Sequence, residues 1–182
     1  MEPRKLSMHE LGRLNTEEFR AAEKFTVTVV LDDIRSQNNT GSAFRTCDAF
    51  RVERLYLCGI TATPPHREIH KTALGAEESV EWKYFVTASQ AVMALKAEGY
   101  LVLALEQTTS SIMLQEFVIP EESKIALVFG NEVEGINDEI LKLADACLEI
   151  PQFGTKHSIN VSVAVGITLW EILRKLKKIL PL

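Results

Sequence analysis

A chain of 182 residues with 46% apolar and 25% charged side chains has the make-up of a globular protein long enough to bury a core, which excludes disordered and collagen-like classes. Its net charge of −5 argues weakly against a nucleic-acid partner, because phosphate binding rests on Lys and Arg, yet it leaves room for a local basic patch. Three scattered cysteines without a CxxC pair, no apolar run long enough to span a bilayer and the charged opening MEPRKLSMHELGR lead to the expectation of a soluble, cytoplasmic protein with reduced thiols.

In chain order, residues 1 to 24 carry Leu6, Leu11, Leu14 and Phe19 at roughly helical spacing. They predict an amphipathic N-terminal helical extension, with Arg4, Lys5, Arg13, Arg20 and Lys24 as its solvated face. FTVTVVLDDI, residues 25 to 34, is rich in β-branched side chains and predicts the first buried strand. A polar loop, RSQNNTGS, follows, then a helix over AFRTCDAF that Asn39, Thr40 or Ser42 would cap. RVERLYLCG predicts the second strand. The Pro64-Pro65 pair breaks structure before a short helix that Gly75 stops. Residues 82 to 86 predict a third strand, and Thr87 caps an amphipathic helix ending at Gly99. Residues 100 to 107, 125 to 130 and 146 to 151 supply strands four to six, and the Asn/Asp-led segment before ILKLADA opens a helix.

The stretch SINVSVAVGITLW imitates a strand, since Ile159, Val161, Val163, Val165, Ile167 and Leu169 share one parity. No turn separates it from the plainly helical EILRKLKK, so it reads as one long buried helix from an N-cap at Ser158. The basic residues 174 to 178 then suit the helix C-terminus. Strands alternating with helices predict an α/β architecture, a mostly parallel sheet with helices on both faces, and a single domain over residues 1 to 182.

Three loops share a pattern: residues 36 to 46, 129 to 135 and 150 to 160 each follow a buried strand, precede a helix and set amides, hydroxyls or charges beside a glycine. One such loop would signal only a backbone that needs positive φ. In an open parallel sheet, however, these loops cluster where ligands bind. His66, His70 and Lys71 lack the Cys or carboxylate that would complete a metal site. His157 reads as a loop residue, and Trp82, Tyr84 and Phe85 as strand core.

Asn39 with Arg45 six residues on, Gly130-Asn131-Glu132 with Gly135, and Ile150-Pro151 followed by Ser158-x-Asn160 occur in that order. Together they resemble the signature motifs of the SpoU (TrmH-like) branch of the SPOUT RNA ribose 2'-O-methyltransferases, from Thr26 to Leu173. The resemblance implies a C-terminal deep trefoil knot and a homodimer through the knot region, with the active site at the subunit interface. It also implies S-adenosyl-L-methionine held by Leu105, Glu106, Gly130, Ile150, Ser158 and Ile159, no metal, and methyl transfer to a ribose 2'-hydroxyl of RNA.

Arg45, Asn39, Glu132, Ser158 and Asn160 are the implied catalytic set. A guanidinium stays protonated, so Arg45 is expected to hold an RNA phosphate and stabilise charge on the 2'-oxygen rather than act as a base. Plainer readings stand beside these: an Arg45 to Asp48 ion pair, and helix capping by Asn39 and Ser158. Asn160, an amide in an apolar stretch, needs a partner in any case. With no appended RNA-binding domain, a compact RNA is expected, tRNA before rRNA. The alternatives are a catalytically inactive RNA-binding dimer and a methyltransferase with a non-RNA acceptor.

Overall fold

The computed structural model describes residues 3–7 and 10–176. Its strands are β1 (Phe25–Asp32), β2 (Val52–Cys58), β3 (Glu81–Phe85), β4 (Tyr100–Leu105), β5 (Ile112–Met113), β6 (Lys124–Phe129) and β7 (Ala146–Glu149). They form one sheet in the order β3-β2-β1-β6-β4-β7-β5, and every neighbouring pair runs parallel. The central strands are mostly apolar on both faces, with Thr28 and Asp32 of β1 as buried exceptions, because both faces are covered as parallel crossovers require. Val27, Val29, Leu31, Leu127 and Phe129 face one core layer, while Val30, Val102, Ala104 and Val128 face the other.

The first layer is covered by α1 (Thr16–Ala21), α2 (Gln37–Ala49), α3 (Arg67–Ala73), α4 (Ala76–Ser79) and α7 (Val161–Lys175); the second by α5 (Ala88–Ala97) and α6 (Asp138–Leu143). Predicted strands one to four, five and six correspond to β1–β4, β6 and β7 within a residue or two at each end. Thr87 caps α5 by accepting from the Gln90 amide, and Asn137 caps α6 from the Ile140 amide.

Four expectations are corrected. The N-terminal helix shrinks to six residues, because Asn15 is extended and forms a reciprocal capping box with Glu18, which fixes the helix start there. Of the four apolar residues on its predicted face only Phe19 is buried, whereas Leu6, Leu11 and Leu14 are exposed. Nor is its basic face merely solvated: Arg20 donates to the Glu78 carbonyl and Lys24 to the Phe19 and Ala22 carbonyls. Met1, Glu2, Met8 and His9 lie outside the described residues.

The second correction is that α2 starts at Gln37 with Ser36 as N-cap, so the predicted polar loop is mostly helix. Third, α7 is capped by Asn160, not Ser158, and is not buried all round: Val163, Ile167 and Trp170 are 50%, 40% and 53% exposed on one stripe. Lys177 and Lys178 of its predicted basic end lie outside the described residues. Fourth, β3 is a sheet edge. Phe85 packs against Tyr56 at 4.8 Å between ring centroids, but Tyr84 is exposed and donates its hydroxyl to the Gly59 carbonyl.

Candidate active site

The carboxyl ends of β1, β6 and β7 carry the three loops, and the sheet order sets β6 directly beside both β1 and β4. The loop after β6 is closed on itself. Asn131 and Gly135 exchange two backbone hydrogen bonds, of 3.1 and 2.9 Å. The Asn131 side chain accepts from the Val133 and Glu134 amides and donates to the Asp33 carbonyl at 2.7 Å. Gly135 adopts φ 71°, a left-handed conformation suited to glycine. A Cβ on Gly130 would stand 2.3 Å from the Gly135 carbonyl carbon, so this glycine is required by the loop's own return path.

Glu106 buttresses the same loop from β4. Its carboxylate accepts from the Ile136 and Gln107 amides, each at 2.9 Å. That carboxylate is committed to the protein.

Glu132 reaches across to the start of α2. It accepts from the Arg35 amide at 3.1 Å, the Ser36 amide at 3.4 Å and the Asn39 side-chain amide at 3.1 Å. Burial raises its pKa, but the hydrogen bonds from backbone and from Asn39 outweigh burial and hold it below the ordinary carboxylate range. Asn39 accepts in turn from the Asn160 side-chain amide at 3.1 Å. The Asn160 oxygen accepts from the Ser162 amide at 2.8 Å and thereby caps α7. One polar chain, Glu132 to Asn39 to Asn160, thus ties the three loops together; Asn160 is an exposed cap rather than the amide enclosed in an apolar stretch that its sequence context suggests.

Beside this chain lies a cleft of about 710 Å³, within the size range of small-molecule sites. Leu105, Glu106, Gly130, Glu132, Ile150, Ser158, Ile159 and Asn160 all line it. Asn39 stands one hydrogen bond behind its wall. Leu105, Ile150 and Ile159 line the cleft beside the polar Gln107, Gln152 and Ser158, a mixed lining suited to a flat heterocycle joined to polar groups. His157 also lines the cleft.

Arg45 is not in the cleft. It is exposed and lines a separate depression of about 280 Å³, with Asn15, Thr16, Asp48 and Ser79. The expected ion pair with Asp48 is absent among the described residues. Asp48 instead accepts from the Ser79 hydroxyl at 2.5 Å.

Three residues had no role assigned to them in the sequence reading. Asn131 organises the central loop and is visible only as one letter of a motif. Gln107 donates to the His157 carbonyl at 3.0 Å. Asp32, buried at the end of β1, is pushed up to about 6, first by burial and then by neighbouring Asp33. Elsewhere, His66 caps α3 by accepting from the Glu68 amide, and His70 pairs with Glu77 at 2.5 Å.

A parallel sheet whose loops gather a polar chain and a small-molecule cleft at its carboxyl edge defines a ligand-binding α/β protein of the enzyme type. The SpoU rRNA Methylase family matches residues 26–170, and the chain belongs to that family. It is 30% identical over 152 residues to a tRNA (guanosine(18)-2'-O)-methyltransferase of Borreliella burgdorferi, covering 84% of this chain and 68% of the relative. Against a tRNA (guanosine(18)-2'-O)-methyltransferase of Thermus thermophilus the identity is 29%, covering 91% and 84%. A mouse protein of the same description is 36% identical over 81% of this chain, which spans only 9% of it. Among solved structures, the A. aeolicus TrmH/SpoU tRNA modifying enzyme matches with a TM-score of 0.77 and 28% identity, covering 90% of this chain and 81% of that one. An AdoMet bound rRNA methyltransferase from Sinorhizobium meliloti matches with the same score and identity, covering 90% and 61%.

Proposed function

We propose that the protein is an S-adenosyl-L-methionine-dependent RNA methyltransferase that modifies a ribose 2'-hydroxyl, with tRNA as its substrate. The observation that carries this is the hydrogen-bonded chain Glu132–Asn39–Asn160 along the wall of a ligand-sized cleft, in a family whose matched relatives are named for this reaction on tRNA. When bound, the cofactor supplies an electrophilic methyl group on a sulfonium.

The cleft suits that cofactor: Leu105, Ile150 and Ile159 would flank the adenine, and the backbone at Glu106, Gly130 and Ser158 would meet its polar groups. Asn39, Glu132 and Asn160 fix the relative position of the three turns, so the acceptor ribose meets a preorganised wall, and alignment accounts for much of the rate. Ser158 orients the ribose. Arg45 would hold an RNA phosphate and stabilise negative charge as it develops on the 2'-oxygen.

Because Arg45 lies outside the cleft of its own chain, the reading includes a homodimer in which each Arg45 serves its partner's cleft. Its support is the exposed stripe of Val163, Ile167 and Trp170 on α7, a helix packed on the α2 that carries Arg45. A C-terminal trefoil knot belongs to the same reading. It draws support from Lys175, near the end of α7, which donates to the Gln115 and Phe117 carbonyls of the β4–β6 connection at 2.8 and 2.6 Å, and from Gln107 in that connection reaching His157. The chain would act as one domain, in the cytoplasm. No helix among the described residues is long and apolar enough to cross a membrane, and no cluster of potential metal ligands occurs among them.

The test is incubation with methyl-labelled cofactor and tRNA, followed by alkaline hydrolysis. The expected result is label in an alkali-resistant dinucleotide, since a 2'-O-methyl group removes the hydroxyl that cleaves the adjoining phosphodiester. Label confined to a base, or no incorporation, would overturn the reading.

A further inference from the structure

The two loops that wall the cleft differ in how they are held. Residues 130–137 are cross-linked by the Asn131, Glu132 and Glu106 hydrogen bonds. Residues 151–159 carry no helix or strand, and among the described residues only one hydrogen bond reaches them. It comes from the Gln107 side-chain amide to the His157 carbonyl, 3.0 Å, across 50 residues of sequence. Gln107 itself stands on a fixed mount: the preceding Glu106 amide donates to the Leu148 carbonyl at 3.0 Å, and the Glu106 carboxylate holds the Gln107 amide. Gln152, His157, Ser158 and Ile159 of the loosely held segment all line the cleft, as does Gln107.

We infer that Gln107 is a positioning residue that latches the 151–159 strap over the cofactor cleft, and that opening this single hydrogen bond is the step that admits and releases the cofactor. The inference rests on the cofactor reading given above. A chain segment anchored at its two ends, by β7 and by Asn160, and pinned once between them, at His157 near its second end, gains freedom along its length when the pin is lost. The pin is exposed and neutral, so it contributes little to global stability while governing one local equilibrium.

The test uses Gln107→Met, close in shape without a donor, and Gln107→Ala. Hydrogen exchange is followed in the ligand-free protein, and S-adenosyl-L-methionine dissociation by stopped flow. Loss of one such hydrogen bond is worth about two- to tenfold. Both variants should speed amide exchange in residues 152–159, cofactor association and cofactor release by about that factor, with exchange in 131–136 and Tm unchanged. Gln107→Lys, which keeps a donor of similar reach, should stay near wild type. Unchanged exchange in the strap, or acceleration spread equally over both loops, would overturn the latch. Faster strap exchange in a wild-type background that binds no cofactor would leave the latch standing and remove the cofactor reading instead.

Discussion

Asn39 and Arg45 sit on one helix, less than two turns apart, in opposite circumstances. Asn39 is locked between Glu132 and Asn160, with both ends of its amide used. Arg45 is exposed, and its side chain makes no hydrogen bond or ion pair among the described residues. The first turn of α2 belongs to a hydrogen-bonded scaffold formed within one chain, whereas the middle of the helix holds an exposed charge with no side-chain partner among the described residues. Positioning and charge stabilisation are thereby separable, and a substitution that removes one should leave the other measurable.

The largest effect is expected from Arg45→Ala. Loss of a group that stabilises transition-state charge costs about 10²- to 10³-fold in turnover, and calorimetric affinity for the cofactor should stay near wild type. A large loss of affinity would erase the distinction between the two regions. Gly130→Val strikes the scaffold instead: its side chain cannot coexist with the Gly135–Ile136 backbone, so titration should show cofactor binding abolished. Unaltered titration curves would contradict the loop assignment.

Glu132→Gln sharpens the comparison through pH. The folded pKa of Glu132 lies below its ordinary value, so its contribution to stability is present above about pH 4.5 and is lost as pH falls further. The variant should flatten that acid limb in denaturant titrations, and an unchanged limb would mean the clasp is idle.

Asp32→Asn is the smallest change. With a folded pKa of about 6, Asp32 favours the folded state while protonated, and stability falls as pH rises from about 4 to about 6. Replacing it should raise stability at pH 7 by about 1–3 kcal/mol and remove that slope. No gain at pH 7 would show that the carboxylate is better solvated than its burial implies.

The same contrast explains which elements are legible in the sequence. Runs such as TVTVVL and KIALVF announce strands buried on two faces, and six of the seven strands follow from them. β5 has two residues at a sheet edge and leaves no pattern. The opening of α2 is illegible because Gln37, Asn38 and Asn39 are polar and look like a loop, and of the three Asn39 serves the Glu132 clasp rather than a core. The start of α7 was misplaced for a related reason, since Asn160 caps the helix and bonds Asn39 with the same side chain. Leu6, Leu11 and Leu14 had helical spacing without a surface to bury it. The cleft residues were legible as motifs, but the Gln107 to His157 tie joins residues that no local pattern connects.

The most direct measurement mixes two inactive chains. Arg45→Ala keeps an intact cleft, and Gly130→Val keeps an intact Arg45. In a two-fold dimer with each arginine serving its partner's cleft, random pairing restores about a quarter of the wild-type methyl incorporation, because half the dimers carry one complete site. If the co-refolded mixture is as inactive as each parent, although heterodimers form, Arg45 does not complete the partner's site and the division of labour along α2 is wrong.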